Sequence, residues 1–202
     1  HNRSVVGRDA RQWYDDAVQQ VYREHVPHYP LVAGAESGPI YQAFTVGRVR
    51  FLLTDTRSER DPATDVDNAE KSMLGDVQKA WLKQEMLSAR DTAAAIVWIN
   101  SGPWIDGASV GADTWGGYTT ERRELADFIA ANGIDTLFML SGDAHSIAID
   151  DGTNSDFSTS GGGGFPVFHA APLDKRGGTK GGPYSEGTSA ESGQFGLVTV
   201  ND

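Results

Sequence analysis

The sequence has no cysteine among its 202 residues. This absence excludes a disulfide framework, a thiolate metal site and a cysteine nucleophile. Rigidity must therefore come from packing. Any metal must be held by the oxygen and nitrogen atoms of residues such as Asp, Asn and His.

Basic residues are scarce as well. Lys and Arg number 17 against 28 Asp and Glu, which gives a net charge of −11. Proteins bind the nucleic-acid backbone with basic side chains that neutralise phosphates, so this balance argues against nucleic acid or an anionic membrane as the partner.

The longest continuous apolar runs, 93–99 and 137–140, are far shorter than the ~20 residues of a membrane-spanning helix. We therefore predict no transmembrane segment.

The length fits one domain, since domains commonly hold about 100–200 residues. We therefore predict that residues 1–202 form a single domain. The first residue is His1 and no basic and then apolar leader precedes the first helix, which we interpret as an internal cut in a longer protein. The 24 glycines are concentrated late in the chain, so 152–193 is predicted to be a Gly-rich loop region within the domain.

Hydrophobic periodicity predicts alternating helices and strands. The predicted helices are 9–25, 74–87 and one that Thr119 or Thr120 caps and that ends at 132–133. The predicted strands are 40–46 and 48–54, joined as a hairpin by Gly47, then 93–99 and 135–141. Two short apolar runs, 165–170 and 195–200, interrupt the loop-rich end of the chain. The order strand, helix, strand, helix, strand over 48–141 is typical of βαβ crossovers. We therefore expect an α/β fold with an at least partly parallel sheet.

Ligands of such sheets collect at the carboxyl ends of the strands. This rule singles out three segments, 55–57, 100–102 and 141–145. The third contains Asp143 and His145 in a turn opened by Gly142, so that a carboxylate and an imidazole could converge on one cation such as Ca, Mn, Fe or Zn. The alternative is that Asp143 caps a local turn while His145 packs or faces solvent. The residues alone leave both interpretations open.

The other two strand ends also have two interpretations. Asn100 could offer its side-chain oxygen to a metal, or it could satisfy backbone groups where the strand ends. Arg57 could contact a phosphate while Asp55 orients it, or the two could form a structural ion pair.

Aromatic residues occur in the loop 113–118, which reads DTWGGY. Trp115 and Tyr118 could form the wall of a substrate pocket. Alternatively, they pack beneath the loop as an ordinary part of the core.

Five segments follow one another between residues 22 and 146: YREHVPHYPL at 22–31, FLLTDTRS at 51–58, LGDVQKAWL at 74–82, DTWGGY followed by ER within 113–122, and LSGDAHS at 140–146. In this order and spacing they resemble the PhoD-like family of alkaline phosphatases and phosphodiesterases, within the metallophosphatase group. The similarity thins after Gly152 to the Gly-rich stretch and the closing strand.

The resemblance implies a layered metallophosphatase-like fold, an α/β/β/α sheet sandwich of which this chain would be an incomplete half. It implies a dinuclear centre of divalent or trivalent metal ions, Ca, Fe, Mn or Zn, that hydrolyses phosphate monoesters or diesters, and an extracellular or periplasmic location. Asp143 and His145 match the family's late G-D-x-H metal-binding segment, and Asn100 is the third candidate ligand. His145 and Arg57 are the candidate catalytic residues. Arg57, Trp115 and Tyr118 are the candidate contacts to a small phosphate-ester substrate.

The family's early segments, an Asp-bearing first strand, a G-D motif and a D-D-H motif, supply most of its metal ligands and do not occur here. We therefore expect the chain to be the carboxyl-terminal portion of a longer enzyme, with the missing amino-terminal half as its partner. We interpret His1 and Asn2 as the remnant of the D-D-H region. Members also tend to have an arginine shortly before the D-x-W segment, and 105–112 contain none, so Arg57 is the remaining candidate for phosphate contact.

Two other classes of function compete with this one. The first is a non-catalytic α/β binding or structural domain without metal, in which the Asp143 and His145 turn is only structural. The second is a serine hydrolase that uses Ser109 or Ser146. Residues 107–111 match the G-x-S-x-G nucleophile motif, but that motif requires a strand before it and a helix after it, and both flanks here are predicted to be loop.

Overall fold

The computed structural model describes residues 8–170, 172–174 and 177–201. Its elements are helix α1 (Arg8–His25), strands β1 (Gln42–Val46) and β2 (Val49–Leu53), helix α2 (Asp76–Arg90), strand β3 (Ala95–Asn100), a short 3-10 helix (Trp115–Gly117), helix α3 (Thr119–Ala131), and strands β4 (Leu137–Ser141), β5 (Ile147–Asp150), β6 (Val167–His169) and β7 (Thr188–Ser189). His1 and Asn2 lie outside the described residues, so their interpretation stays a prediction, as does the single domain over 1–202.

One seven-stranded mixed sheet organises the fold, in the order β1-β2-β3-β4-β6-β5-β7. Strands β2, β3, β4 and β6 run parallel to one another, whereas β1 is antiparallel to β2, and β5 is antiparallel to β6 and β7. The predicted α/β architecture, the βαβ crossovers and the hairpin at Gly47 are confirmed. Sequence patterning missed β5 and β7, and residues 195–200 form no strand.

Helix α3 ends where the sequence predicted, but its cap was predicted wrongly. Its N-cap position is Tyr118, which makes no capping bond with its side chain. Asp67, from a distant loop, accepts hydrogen bonds from the Thr119 amide at 2.7 Å and the Thr120 amide at 3.3 Å. The hydroxyl of Thr119 also donates to Asp67, at 2.6 Å. The capping group is therefore a carboxylate supplied by tertiary structure.

The hydrophobic core lies on one face of the sheet. Adjacent strands align Leu52 with Trp98, Trp98 with Met139, and Met139 with Val167, and all four side chains are buried. Helices α2 and α3 cover this face with buried apolar residues, among them Leu82, Met86, Leu125 and Ile129. Each such side chain stabilises the fold by roughly 1.5–3 kcal/mol relative to its exposed state.

The opposite face of the sheet is apolar but only partly covered. Alternate positions of the same strands point to it. Val49 and Val97 are buried there, but most of its side chains are only half-buried. We call these half-buried side chains the open face: Phe44, Phe51, Leu53, Ile99, Phe138, Leu140 and Phe168. Tyr29 stacks on Phe44 with ring centroids 4.1 Å apart, so the segment after α1 covers the β1 end. A pocket of about 440 Å³ opens there between Tyr22, Phe44 and Ile99.

None of the helices in the described ranges is both long and apolar enough to cross a bilayer.

Candidate functional site

Three polar side chains lie side by side where parallel strands end. The strand register pairs Asn100 of β3 with Ser141 of β4, and Ser141 with His169 of β6. Beside them, β2 leads into residues 54–57, with the Thr54 amide donating to the Ile99 carbonyl at 3.1 Å. We call this row of strand ends, together with the 141–145 turn, the carboxyl edge.

Asn100 is buried and only partly satisfied. Its Nδ2 donates to the Gly102 carbonyl at 2.5 Å, which secures the backbone where β3 ends. Its Oδ1 is also buried and has no hydrogen-bond partner. A buried amide oxygen without a partner is unfavourable by about 1–3 kcal/mol. This oxygen therefore fits the role of a cation ligand, while the amide nitrogen has the structural role that the sequence left open.

The turn after β4 has an unusual backbone conformation. Asp143 has φ 63° and His145 has φ 51°, both in the left-handed region that side-chain-bearing residues seldom adopt. His145 is exposed, whereas Ala144, which lies between the two residues in the sequence, is only 1% exposed. The buried Ala144 side chain therefore packs the turn against the rest of the protein. The Asp143 carboxylate lies 3.2 Å from the Lys180 ammonium. Such strain often persists at functional sites, because the surrounding structure enforces a geometry that the chain alone disfavours.

Arg57 does not pair with Asp55 as the sequence suggested. Asp55 accepts hydrogen bonds from the amides of Arg57 at 2.9 Å and Ser58 at 3.0 Å, so its carboxylate organises the turn after β2. The guanidinium of Arg57 instead lies 3.3 Å from the Asp113 carboxylate. That arrangement corrects the proposed Asp55 ion pair and leaves the Arg57 side chain 34% exposed at the carboxyl edge.

Several cations act on the Asp113 carboxylate. Burial would raise the pKa of the Asp113 carboxyl, but the charges of Arg57, Arg60 and Lys180 and the hydrogen bond from Arg57 hold this pKa below its usual range. Arg60 also donates to the Asp113 carbonyl at 3.1 Å. The edge therefore gathers basic side chains in a chain that is acidic overall.

His169 is a buried residue of the edge that sequence reasoning missed. It is 3% exposed and its Nδ1 has no hydrogen-bond partner, while its Nε2 lies 3.4 Å from the Tyr184 hydroxyl. Burial lowers the pKa of His169 to about 4, so the ring is neutral at pH 7. The signal was present, because His169 ends the apolar run 165–170 as Asn100 and Ser141 end theirs.

The structure places Trp115 and Tyr118 in the core. Trp115 is 1% exposed and packs edge-on against Trp98 and Trp104, with centroids 6.1 Å and 5.1 Å apart. Tyr118 is fully buried and donates its hydroxyl to the Asp61 carbonyl at 2.6 Å. These positions favour the packing interpretation, and a substrate contact by either residue stays a prediction.

The two candidate serines differ in setting. Ser109 lies in the loop between β3 and the 3-10 helix, without the preceding strand and following helix of a nucleophile elbow. Ser146 is fully buried, and its hydroxyl has no partner. Neither setting favours a serine nucleophile.

The candidate metal ligands do not form a complete shell. Within the described residues, no group of three or more His, Cys, Asp and Glu side chains could hold a metal ion. Asn100, Asp143 and His145 offer two oxygen donors and one nitrogen donor at adjacent strand ends, a set that suits hard or borderline metals. By donor type, these residues fit part of a metal site.

Comparison with known proteins gives one family and two relatives. The model of the PhoD-like phosphatase family matches residues 3–194. Alkaline phosphatase D of Bacillus subtilis (strain 168) is 28% identical over 148 residues, which cover 64% of this chain and 25% of that protein. A solved structure of PhoD is similar in fold, with a TM-score of 0.65 and 22% identity over 84% of this chain and 36% of its own. The chain thus spans about a quarter of the curated relative and about a third of the solved one.

Proposed function

Because the chain belongs to the PhoD-like phosphatase family, we propose that it takes part in the metal-dependent hydrolysis of phosphate monoesters or diesters. The observation on which this rests most is the buried, unpartnered Oδ1 of Asn100 at the strand end next to the strained Asp143–His145 turn. An unsatisfied acceptor and a strained acidic turn at adjacent strand ends support a cation site at this edge.

Asn100, Asp143 and His145 would hold the metal, either Ca, Fe, Mn or Zn. When bound, the metal supplies charge neutralisation at the phosphoryl group and activation of water. The described residues provide only part of the shell. We propose that the remaining ligands come from an amino-terminal half of the same protein, of which this chain is the carboxyl-terminal portion.

The chain's own side chains would bind and orient the ester. Asp113 holds the Arg57 guanidinium in place, and the guanidinium's planar donors match two non-bridging phosphate oxygens. The exposed imidazole of His145 is accessible to a bound ester and can donate a proton to the leaving oxygen or ligate the metal. We propose a small phosphate ester as the partner and, from the family resemblance, a location outside the cell or in the periplasm.

Metal binding tests the proposal on the chain itself. Wild-type chain, Asp143→Ala and His145→Ala are compared by metal content after purification and by unfolding free energy in added Mn²⁺ or Ca²⁺. At a metal concentration 100 times the dissociation constant, the wild type should gain about 2.7 kcal/mol, and both variants should gain much less. Asp135→Ala, which removes an exposed carboxylate elsewhere, should behave as the wild type.

A wild-type chain that holds no metal, and whose unfolding free energy is the same with and without the ion, contradicts the proposal. That result would leave a non-catalytic α/β domain, in which the Lys180 pair with Asp143 is structural. If metal binds, hydrolysis of p-nitrophenyl phosphate compared with bis-p-nitrophenyl phosphate by the longer protein separates monoester from diester specificity.

A further inference from the structure

One segment crosses over the Asp143–His145 turn although it lies more than thirty residues away in the sequence; we call residues 177–184 the strap. Its first residue, Gly177, lies so close to His145 that a Cβ atom there would collide with the His145 carbonyl oxygen. The Gly177 amide donates to the Ala190 carbonyl at 3.1 Å. The close approach is therefore built into the backbone, and it needs glycine.

The strap is also anchored at its other end. Gly181 has φ +73°, and a Cβ there would collide with the Ile105 carbonyl oxygen, which accepts a hydrogen bond from the Gly182 amide at 2.8 Å. Tyr184 is 9% exposed and donates its hydroxyl to the Lys180 carbonyl at 2.9 Å. Close backbone contacts therefore fix the path of the strap on both sides of Lys180.

The contacts at Gly177 and at Gly181 position Lys180 next to the carboxyl edge. Its ammonium lies 3.2 Å from the Asp143 carboxylate, and its charge acts on Asp113, which also pairs with Arg57. Its side chain is 49% exposed, so a ligand can reach it. An exposed lysine pair with a carboxylate contributes little to stability, about 0–1 kcal/mol, so stability alone does not explain the pair of Lys180 with Asp143.

We propose that Lys180 is a second phosphate-binding cation of this site, which the strap presents beside Arg57 to the non-bridging oxygens of a phosphoryl group. In the absence of ligand, Asp143 holds the ammonium in position. When a phosphate ester binds, the ammonium shifts a hydrogen bond from the carboxylate to a non-bridging phosphate oxygen. This role deepens the proposed function and rests on it.

Phosphate binding without metal tests the role of Lys180. Inorganic phosphate is titrated calorimetrically into the whole chain at low ionic strength with EDTA. Lys180→Met should weaken binding roughly tenfold, because a charge-assisted hydrogen bond is lost, and Lys180→Arg should retain most of the affinity. Lys83→Met is the matched control, since Lys83 pairs with Glu124 on the helix surface, and it should bind as the wild type.

Gly177→Ala tests the strap separately. It keeps the lysine but forces the strap away from His145, so phosphate affinity should fall although no charge is lost. Circular dichroism melting of each variant checks that the fold is retained. Unchanged affinity in Gly177→Ala would overturn the positioning by the strap.

Three results would overturn the role of Lys180: no measurable phosphate binding by the wild type, affinity of Lys180→Met within twofold of the wild type, or equal weakening by Lys83→Met. The outcomes for metal and phosphate are separable. Phosphate binding that needs Lys180 in a chain that holds no metal supports the phosphate site and contradicts the proposed metal-dependent function. Metal binding by a chain whose phosphate affinity is unchanged in Lys180→Met supports the metal-dependent function and contradicts the phosphate-binding role of Lys180.

Discussion

At the scale of single residues, the carboxyl edge contains several residues in energetically unfavourable states. Asn100 leaves an amide oxygen unpartnered, and His169 leaves Nδ1 unpartnered, in positions from which water is excluded. Asp143 and His145 adopt left-handed backbone angles. Buried groups without partners and strained residues each destabilise a fold by roughly 1–3 kcal/mol, and they cluster at functional sites.

His169 should make the chain sensitive to mild acid. The pKa of the unfolded imidazole is about 6.5, and burial lowers that of folded His169 to about 4. Below the unfolded value the unfolded state binds more protons, so stability is full above about pH 6.5 and falls as the pH drops towards 4. For a shift of this size, the free energy of unfolding should be roughly 2 kcal/mol lower at pH 5 than at pH 7.

Urea unfolding at the two pH values checks this expectation. His169→Gln cannot take up the proton, so most of the difference should disappear in that variant, whatever its stability at pH 7. His28→Gln removes an exposed histidine and should retain the wild-type pH dependence. An equal loss of stability in His169→Gln and the wild type would show that other groups cause it.

At the scale of secondary-structure elements, side chains from distant loops form the hydrogen bonds that satisfy backbone groups at the start of α3. Asp67 caps α3 from a loop 52 residues earlier. Lys71, from the same loop, is 5% exposed and donates to the carbonyls of Ala63, Asp65 and Gly117, at 2.9, 2.9 and 2.8 Å. These bonds tie the loop to the start of α3, and thereby to the segment that contains Asp113.

Loss of the Asp67 cap should destabilise the fold. Partial burial would raise the pKa of the Asp67 carboxyl, but hydrogen bonds from Thr119 and Thr120 hold it below its usual range, so the carboxylate is charged near neutral pH. Asp67→Ala should lower the free energy of unfolding by about 1 kcal/mol. Asp67→Asn, which keeps an acceptor, should lose less.

Chemical denaturation at pH 7 measures the effect. Asp65→Ala is the control, because Asp65 lies in the same loop with its side chain exposed. Equal stability of Asp67→Ala and Asp65→Ala would mean that water caps α3 as well as the carboxylate does.

At the scale of the whole molecule, the sheet has one covered face and one partly covered face. Strands buried on one side alone usually alternate apolar with polar residues, whereas the open face is apolar along four parallel strands. Monomeric soluble proteins seldom expose large apolar patches. We therefore expect the open face to be where a further layer packs in the longer protein proposed above, as the resemblance to a sheet sandwich implies.

The chain on its own should reveal this face. It should bind a dye such as ANS and associate as its concentration rises, as measured by fluorescence and sedimentation. Ile99→Thr keeps a β-branched residue in β3 and makes the face more polar, so dye binding and association should both decrease.

Val66→Thr makes the same change at a site that is 77% exposed and outside the open face, and should have no effect. A monomeric chain that does not bind the dye would show that this face needs no further cover.

The sequence by itself determined the α/β fold, the order of its main elements and the strand ends at Asn100 and Ser141, because periodicity and turn residues are local signals. The Arg57 pair with Asp113, the Asp67 cap and the Lys180 contact with Asp143 join residues 56, 52 and 37 positions apart. Only the tertiary structure decided these, since no local pattern encodes which distant loops meet. The same holds for the burial of His169, Trp115 and Tyr118, which depends on how the sheet, helices and loops pack together.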